Sequence, residues 1–110
     1  MGVEQRLSLR KVFRTGAVLT VEDVPSIEVQ TIDIARYGIG LVGIPAKMEK
    51  GQEGHLVFDL PVNGKSHNVD VRVHVAYCLP AGDVFRAGLE FLNVDPTNAL
   101  LISYYVDVGD

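Results

Sequence analysis

Three arginines, Arg6, Arg10 and Arg14, recur at four-residue intervals near the N-terminus, and an aspartate, Asp33, opens the later string Asp33-Ile-Ala-Arg-Tyr-Gly38. A spacing of four keeps the arginines on one face whether the segment is extended or helical. Guanidinium forks bind phosphate oxygens bidentately, fit the O6/N7 edge of guanine and stack on bases. A carboxylate only accepts hydrogen bonds, so Asp33 can read the N1–H and exocyclic amine of guanine. Gly38 permits a tight turn that brings backbone close to a ligand. Arginines plus one aspartate are what a guanine nucleotide with its phosphates requires.

The charge distribution agrees with a local anion site, although a solvated terminus would have the same composition. Arg6, Arg10, Lys11 and Arg14 face a single nearby acid, Glu4, while the whole chain has 10 basic and 14 acidic residues and a net charge of −4. That balance argues against a general nucleic-acid binder. With only four Phe and four Tyr it also argues against a single-strand-binding barrel, so neither DNA nor RNA is an expected partner.

Nothing in the chain reads as catalytic machinery. His55, His67 and His74 lack the i, i+4 partners or convergent carboxylates of a metal site. Cys78 is the single cysteine, which rules out an internal disulfide and a cysteine cluster and fits a reducing cytoplasm. It carries no cue for a lowered pKa, and an inert thiol at a strand end is expected. No serine sits in a Gly-x-Ser-x-Gly elbow. Tyr37-Gly38-Ile39-Gly40 is too short for a P-loop or a dinucleotide fingerprint.

The elements that must position these residues have a period of two. At 110 residues the chain is one domain. It shows no secretory h-region and no run long enough to span a bilayer, and Met1 and the closing Asp-Val-Gly-Asp read as natural ends. Val69, Val71, Val73, Val75 and Tyr77 alternate with polar residues, as do Leu56, Phe58, Leu60 and Val62 before them. Asn63-Gly64 between the two runs predicts a type I′ hairpin. Its register places Val62 opposite Lys65, Leu60 opposite His67, Phe58 opposite Val69, and Leu56 opposite Val71.

Phe13, Ala17, Leu19 and Val21 predict a first strand with Arg10 and Arg14 on the other parity. Phe85, Ala87, Leu89 and Phe91 predict a last strand, and Ile39 to Val42 a short one. Ile27 and Val29 share one parity and Ile32 and Ile34 the other, which predicts a β-bulge near Thr31. Six strands read as an all-β barrel or sandwich. Asp95-Pro96 then starts a helix whose apolar face is expected at Leu100, Leu101, Tyr104 and Tyr105.

Taken together, these residues resemble the PilZ domain family, the bacterial receptor module for cyclic di-GMP. That family carries Arg-x-x-x-Arg, a spacer of twenty-odd residues, and Asp/Asn-x-Ser-x-x-Gly. Here Arg6-Leu-Ser-Leu-Arg10 and Asp33-Ile-Ala-Arg-Tyr-Gly38 correspond to them, and Phe85-Arg-Ala-Gly-Leu-Glu-Phe-Leu92 is similar to the family's strand before its C-terminal helix. Arg10-Lys-Val-Phe-Arg14 matches the first motif as well; the pair Arg6 and Arg10 is preferred because Phe13 then begins the first strand shortly after it. The family's serine is Ala35 here.

The resemblance implies a six-stranded antiparallel β-barrel of PilZ type with a C-terminal helix. Its parts would be a flexible basic arm over 1–12, a barrel over 13–93 and a helix over 95–107. It further implies a cytoplasmic, non-enzymatic receptor, monomeric or weakly dimeric, that needs no cofactor or metal. Cyclic di-GMP would bind at Arg6, Arg10, Asp33, Ala35 and Gly38, with Arg14 and Arg36 as further candidates. The bound arm would fold over the ligand and signal to an effector protein of motility, biofilm or polysaccharide machinery, without inserting into a membrane. The alternative is an adaptor of the same fold that binds a protein partner without nucleotide.

Overall fold

The structure, a computed structural model, describes residues 9–22 and 25–109. Arg6, one of the expected ligand residues, lies outside them. Among the described residues, seven strands and one helix follow in order: β1 Lys11–Val12, β2 Gly16–Val21, β3 Ile27–Ala35, β4 Gly38–Ile44, β5 Glu53–Val62, β6 Lys65–Ala81, β7 Val84–Leu92 and α1 Pro96–Asp107. All pairings are antiparallel, in the order β1-β3-β2-β5-β6-β7-β4, and β4 pairs back onto β3. β2 to β7 therefore close a six-stranded barrel and β1 is an extra strand on β3. Closure leaves these six strands without a free edge.

The hairpin β5–β6 has the register its turn dictates, with Val62 opposite Lys65, Leu60 opposite His67, Phe58 opposite Val69 and Leu56 opposite Val71. Asn63 and Gly64 take φ of 54° and 72°, the positive values a type I′ turn demands. Leu19, Leu56, Phe58, Leu60, Val69, Val71, Val73, Ile39, Leu41 and Leu89 fill the interior. The alternation of each strand is what delivers them there.

Three expectations need correction. The run from Phe13 to Val21 is not one strand: β1 and β2 both lie along β3, separated by residues 13–15. The end of the expected free arm, Lys11–Val12, is thus paired strand. Second, β6 carries a register shift between Val75 and Tyr77. The extra residue, Ala76, turns Tyr77 outward and Cys78 toward the core, and the strand runs on to Ala81, so Cys78 is not at its end. Third, the helix is capped as expected, with the Asp95 carboxylate accepting from the Asn98 amide, but its packed face is Leu101, Ile102, Tyr105 and Val106. Leu100 is 72% exposed and Tyr104 turns its hydroxyl to Asn63 Oδ1 at 3.1 Å.

The expected bulge is present, as a register shift between Thr31 and Asp33 against β4. Thr31, 2% exposed, is the single buried polar residue of the described core. Its hydroxyl donates to the Phe13 carbonyl at 2.6 Å and accepts from the Thr15 amide at 2.9 Å. Phe13 is thereby held edge-on to Phe58 and to Tyr105 of α1, with centroids 5.7 and 5.2 Å away. Thr31→Val keeps the shape and strands both backbone groups, so it is expected to cost about 1–3 kcal/mol, whereas Thr31→Ser keeps most of the stability. Urea unfolding midpoints of the two variants check this.

Candidate functional site

The bulge at Ile32 decides where Asp33 points. Val29 and Thr31 face the core, and an unbroken alternation would turn Asp33 inward as well. One extra residue moves Ile34 to the interior and Asp33 to the outer face, beside β1. β1 in turn pairs Lys11 with Ile34 and Val12 with Asp33, so Arg10 arrives next to a carboxylate that lies 23 residues away in sequence. Arg10 Nη2 donates to Asp33 Oδ1 at 2.9 Å, with side chains 42% and 35% exposed. At that exposure an ion pair stabilises the fold by only about 0–1 kcal/mol, so it opens at little cost.

Four strands lie side by side here, β3, β4, β7 and β6, and their registers align two outward-facing rows. Asp33 pairs with Gly40, Gly40 with Gly88, and Gly88 with Tyr77. In the next row Ala35 pairs with Gly38, Gly38 with Glu90, and Glu90 with His74. The glycines form a floor without side chains. A Cβ on Gly40 would stand 2.6 Å from Asp33 Oδ1, so the carboxylate leans over that glycine, and a Cβ on Gly88 would collide with the Tyr77 ring. A pocket of about 220 Å³ opens on this floor, lined by Arg10, Ala35 and Gly38 on one side and by Tyr77, Gly88 and Glu90 on the other.

Arg10, Ala35 and Gly38 thus share one pocket, with Asp33 bound to Arg10 at its border. Gly38 plays another part than the one read from sequence. It lies in β4 after the two-residue turn Arg36-Tyr37, without a positive φ, and is required because a Cβ there would collide with the Leu89 carbonyl oxygen. Arg14 is exposed in the stretch joining β1 and β2, outside the pocket lining. Arg36 turns the other way and forms an ion pair with Asp107 at the end of α1. Reading the sequence missed Tyr77, Gly88 and Glu90, which line the pocket, and Gly40 beneath Asp33 next to it; the signal available was glycine on the outward parity of β4 and β7. A larger groove of about 310 Å³ around Gly16, Glu28 and Asp59 has no cationic residue in its lining and does not suit a phosphate ligand.

His55 contacts Asp70 at 3.2 Å and His74 contacts Glu90 at 2.7 Å, both as single pairs. Among the described residues there is no group of three or more His, Cys, Asp or Glu placed to hold a metal ion. No described helix is long and apolar enough to cross a membrane.

Fold and site together define a small β-barrel with a glycine-floored outer pocket that Arg10 and Tyr77 line and that the Arg10–Asp33 pair borders. Residues 4–107 match the PilZ domain, and the chain belongs to that family of cyclic di-GMP receptors. None of the curated proteins matches the sequence. Among solved structures it is similar to the Bacillus subtilis inhibitor of motility (MotI/DgrA), at 16% identity and a TM-score of 0.76 over 90% of this chain. The match covers 48% of that chain, so this chain spans about half its length. It is also similar to the PilZ domain of CeSA from a cellulose-synthesizing bacterium, at 13% identity and a TM-score of 0.63 over 89% of this chain and 94% of that one. Both likenesses bear on the fold.

Two glycine variants separate the roles of the floor. Gly38→Ala meets a backbone carbonyl that cannot step aside, and is expected to cost about 1–3 kcal/mol in a chemical denaturation experiment. Gly40→Ala meets chiefly the movable end of Asp33 and should cost less than about 1 kcal/mol.

Proposed function

We propose that this protein is a receptor for cyclic di-GMP, acting as a cytoplasmic signalling module. The observation that carries the reading is the Arg10–Asp33 pair, half-exposed and set against the glycine-floored pocket. One guanidinium N–H bonds to Asp33 and the remaining donors are left for phosphate oxygens and the guanine O6/N7 edge. Asp33 accepts from the guanine N1–H and amine, and Gly38 lets the ligand approach the backbone. Arg10 belongs to both candidate arginine pairs, so its role does not depend on whether Arg6 or Arg14 completes the clamp. Closure of the N-terminal arm over the ligand would remodel the surface presented to an effector protein.

Ala35 favours a second reading, a PilZ adaptor that works through protein contacts alone. It lines the pocket at the family's serine position and offers no hydroxyl. Losing one hydrogen bond costs ~0.5–1.5 kcal/mol, up to roughly tenfold in affinity, which weakens a receptor without abolishing it.

Isothermal calorimetry with cyclic di-GMP against GMP and cyclic AMP decides between them. Binding is expected for cyclic di-GMP, with a loss of at least ~2 kcal/mol in Arg10→Ala and a gain of up to about tenfold in Ala35→Ser. No heat at tens of micromolar cyclic di-GMP would overturn the receptor reading in favour of the adaptor.

A further inference from the structure

The outward row Ala35, Gly38, Glu90 and His74 runs on to Glu53 of β5, the cross-strand partner of His74. Glu90 brings a carboxylate into the pocket wall, on the side away from Arg10. Like charges about 4 Å apart disfavour one another by a factor of roughly five even in bulk water, so this carboxylate opposes an anionic ligand. His74 Nε2 lies 2.7 Å from Glu90 Oε1, with side chains 30% and 59% exposed. On the other side of His74, Glu53 is taken by Arg72 Nη2 at 2.9 Å. The loop before β5, bonded to Val75 through Gly51 and Gln52, adds Glu49 and Lys50, which are opposite in charge. Among these groups Glu90 is the one that His74 bonds. A carboxylate only accepts hydrogen bonds, so Nε2 holds a proton in either charge state of the ring and Nδ1 is the atom that gains one.

We infer that the His74–Glu90 pair makes binding at this pocket sensitive to pH: protonation of His74 neutralises the carboxylate in the wall and tightens the hold on an anionic ligand. The inference rests on the cyclic di-GMP reading. Histidine is the side chain whose charge ordinarily changes between about pH 5 and 8, and cyclic di-GMP keeps both phosphodiester charges across that window. The anion favours the protonated pair, so affinity rises as pH falls, and by linkage the bound ligand promotes proton uptake at His74. A competing role for Glu90 is to accept from a guanine amine. In that role the carboxylate would help the ligand instead of opposing it. The two roles give opposite signs for Glu90→Gln, which removes the charge and one acceptor.

The test is calorimetric titration of cyclic di-GMP into the 110-residue protein at about pH 5.5 and about pH 8, in low salt because exposed charges are screened. His74→Gln and Glu90→Gln are titrated alongside, with His55→Gln as a control, since His55 pairs with Asp70 away from the pocket. Unfolding midpoints establish that each variant is folded. The expected result is affinity roughly threefold or more tighter at the lower pH for wild type and His55→Gln. His74→Gln and Glu90→Gln should show no such difference, and Glu90→Gln should bind more tightly than wild type at the higher pH. Equal wild-type affinity at both pH values would overturn the inference and leave the receptor reading standing. A pH dependence that survives in His74→Gln would overturn it too, as would weaker binding by Glu90→Gln at both pH values. Absence of wild-type binding at either pH would remove the receptor reading and this inference with it.

Discussion

Thr31 buries a hydroxyl between the Phe13 carbonyl and the Thr15 amide, and those two bonds close the gap where the N-terminal chain steps along β3. Three residues, 13–15, stand opposite two, 31 and 32, because β1 pairs from Val12 with Asp33 and β2 resumes from Gly16 with Gln30. A ladder cannot satisfy that mismatch with backbone alone, and each buried group left unpaired would cost about 1–3 kcal/mol. The hydroxyl serves both. Together with the backbone bonds from the Phe13 amide to the Ile32 carbonyl and from the Thr31 amide to the Thr15 carbonyl, it holds residues 13–15 and so supports β1 and the approach of Arg10 to Asp33. Core packing by Phe13 and placement of the charged pair thus both draw on one side chain that reaches only the backbone of residues 13–15.

Two one-residue offsets build the pocket. Ile32 turns Asp33 outward and Ala76 turns Tyr77 outward, each by the reversal of faces that a bulge imposes. In both cases a glycine is the cross-strand partner, Gly40 for Asp33 and Gly88 for Tyr77. A bulge that reverses a side chain in front of a bulky neighbour would only move a clash. Paired with glycine, it clears ground onto which the reversed side chain can lean.

Much of this was legible in the residues, for reasons that differ by element. Asn63-Gly64 set the β5–β6 register because few residues tolerate two positive φ values in succession. The Thr31 bulge showed itself because Val29 and Ile34 are apolar on opposite parities. The Ala76 bulge did not, since Ala and Tyr are both tolerated on either face and the run Val75-Ala-Tyr-Cys has no polar residue to mark the switch. The helix face was misplaced by one position for a related reason: Leu100, Leu101, Ile102, Tyr104, Tyr105 and Val106 leave several adjacent stripes equally apolar. The motif residues Arg10, Asp33 and Gly38 could be named in advance. That Gly38 answers to the Leu89 carbonyl, and not to a turn, is a long-range contact that no local spacing encodes.

Arg36 links the β3–β4 turn, which carries Ala35 and Gly38 on either side, to Asp107 at the end of α1. Both side chains are about half exposed, and such a pair has a worth of at most ~1 kcal/mol. As a coupling free energy between pocket and helix end, that is no more than about a fivefold shift in an equilibrium. Linkage makes the bound symmetric: were the pocket to hold a ligand and the helix end a partner, this pair could let each bias the other by no more than that small factor. The tie is a graded coupling and not a lock.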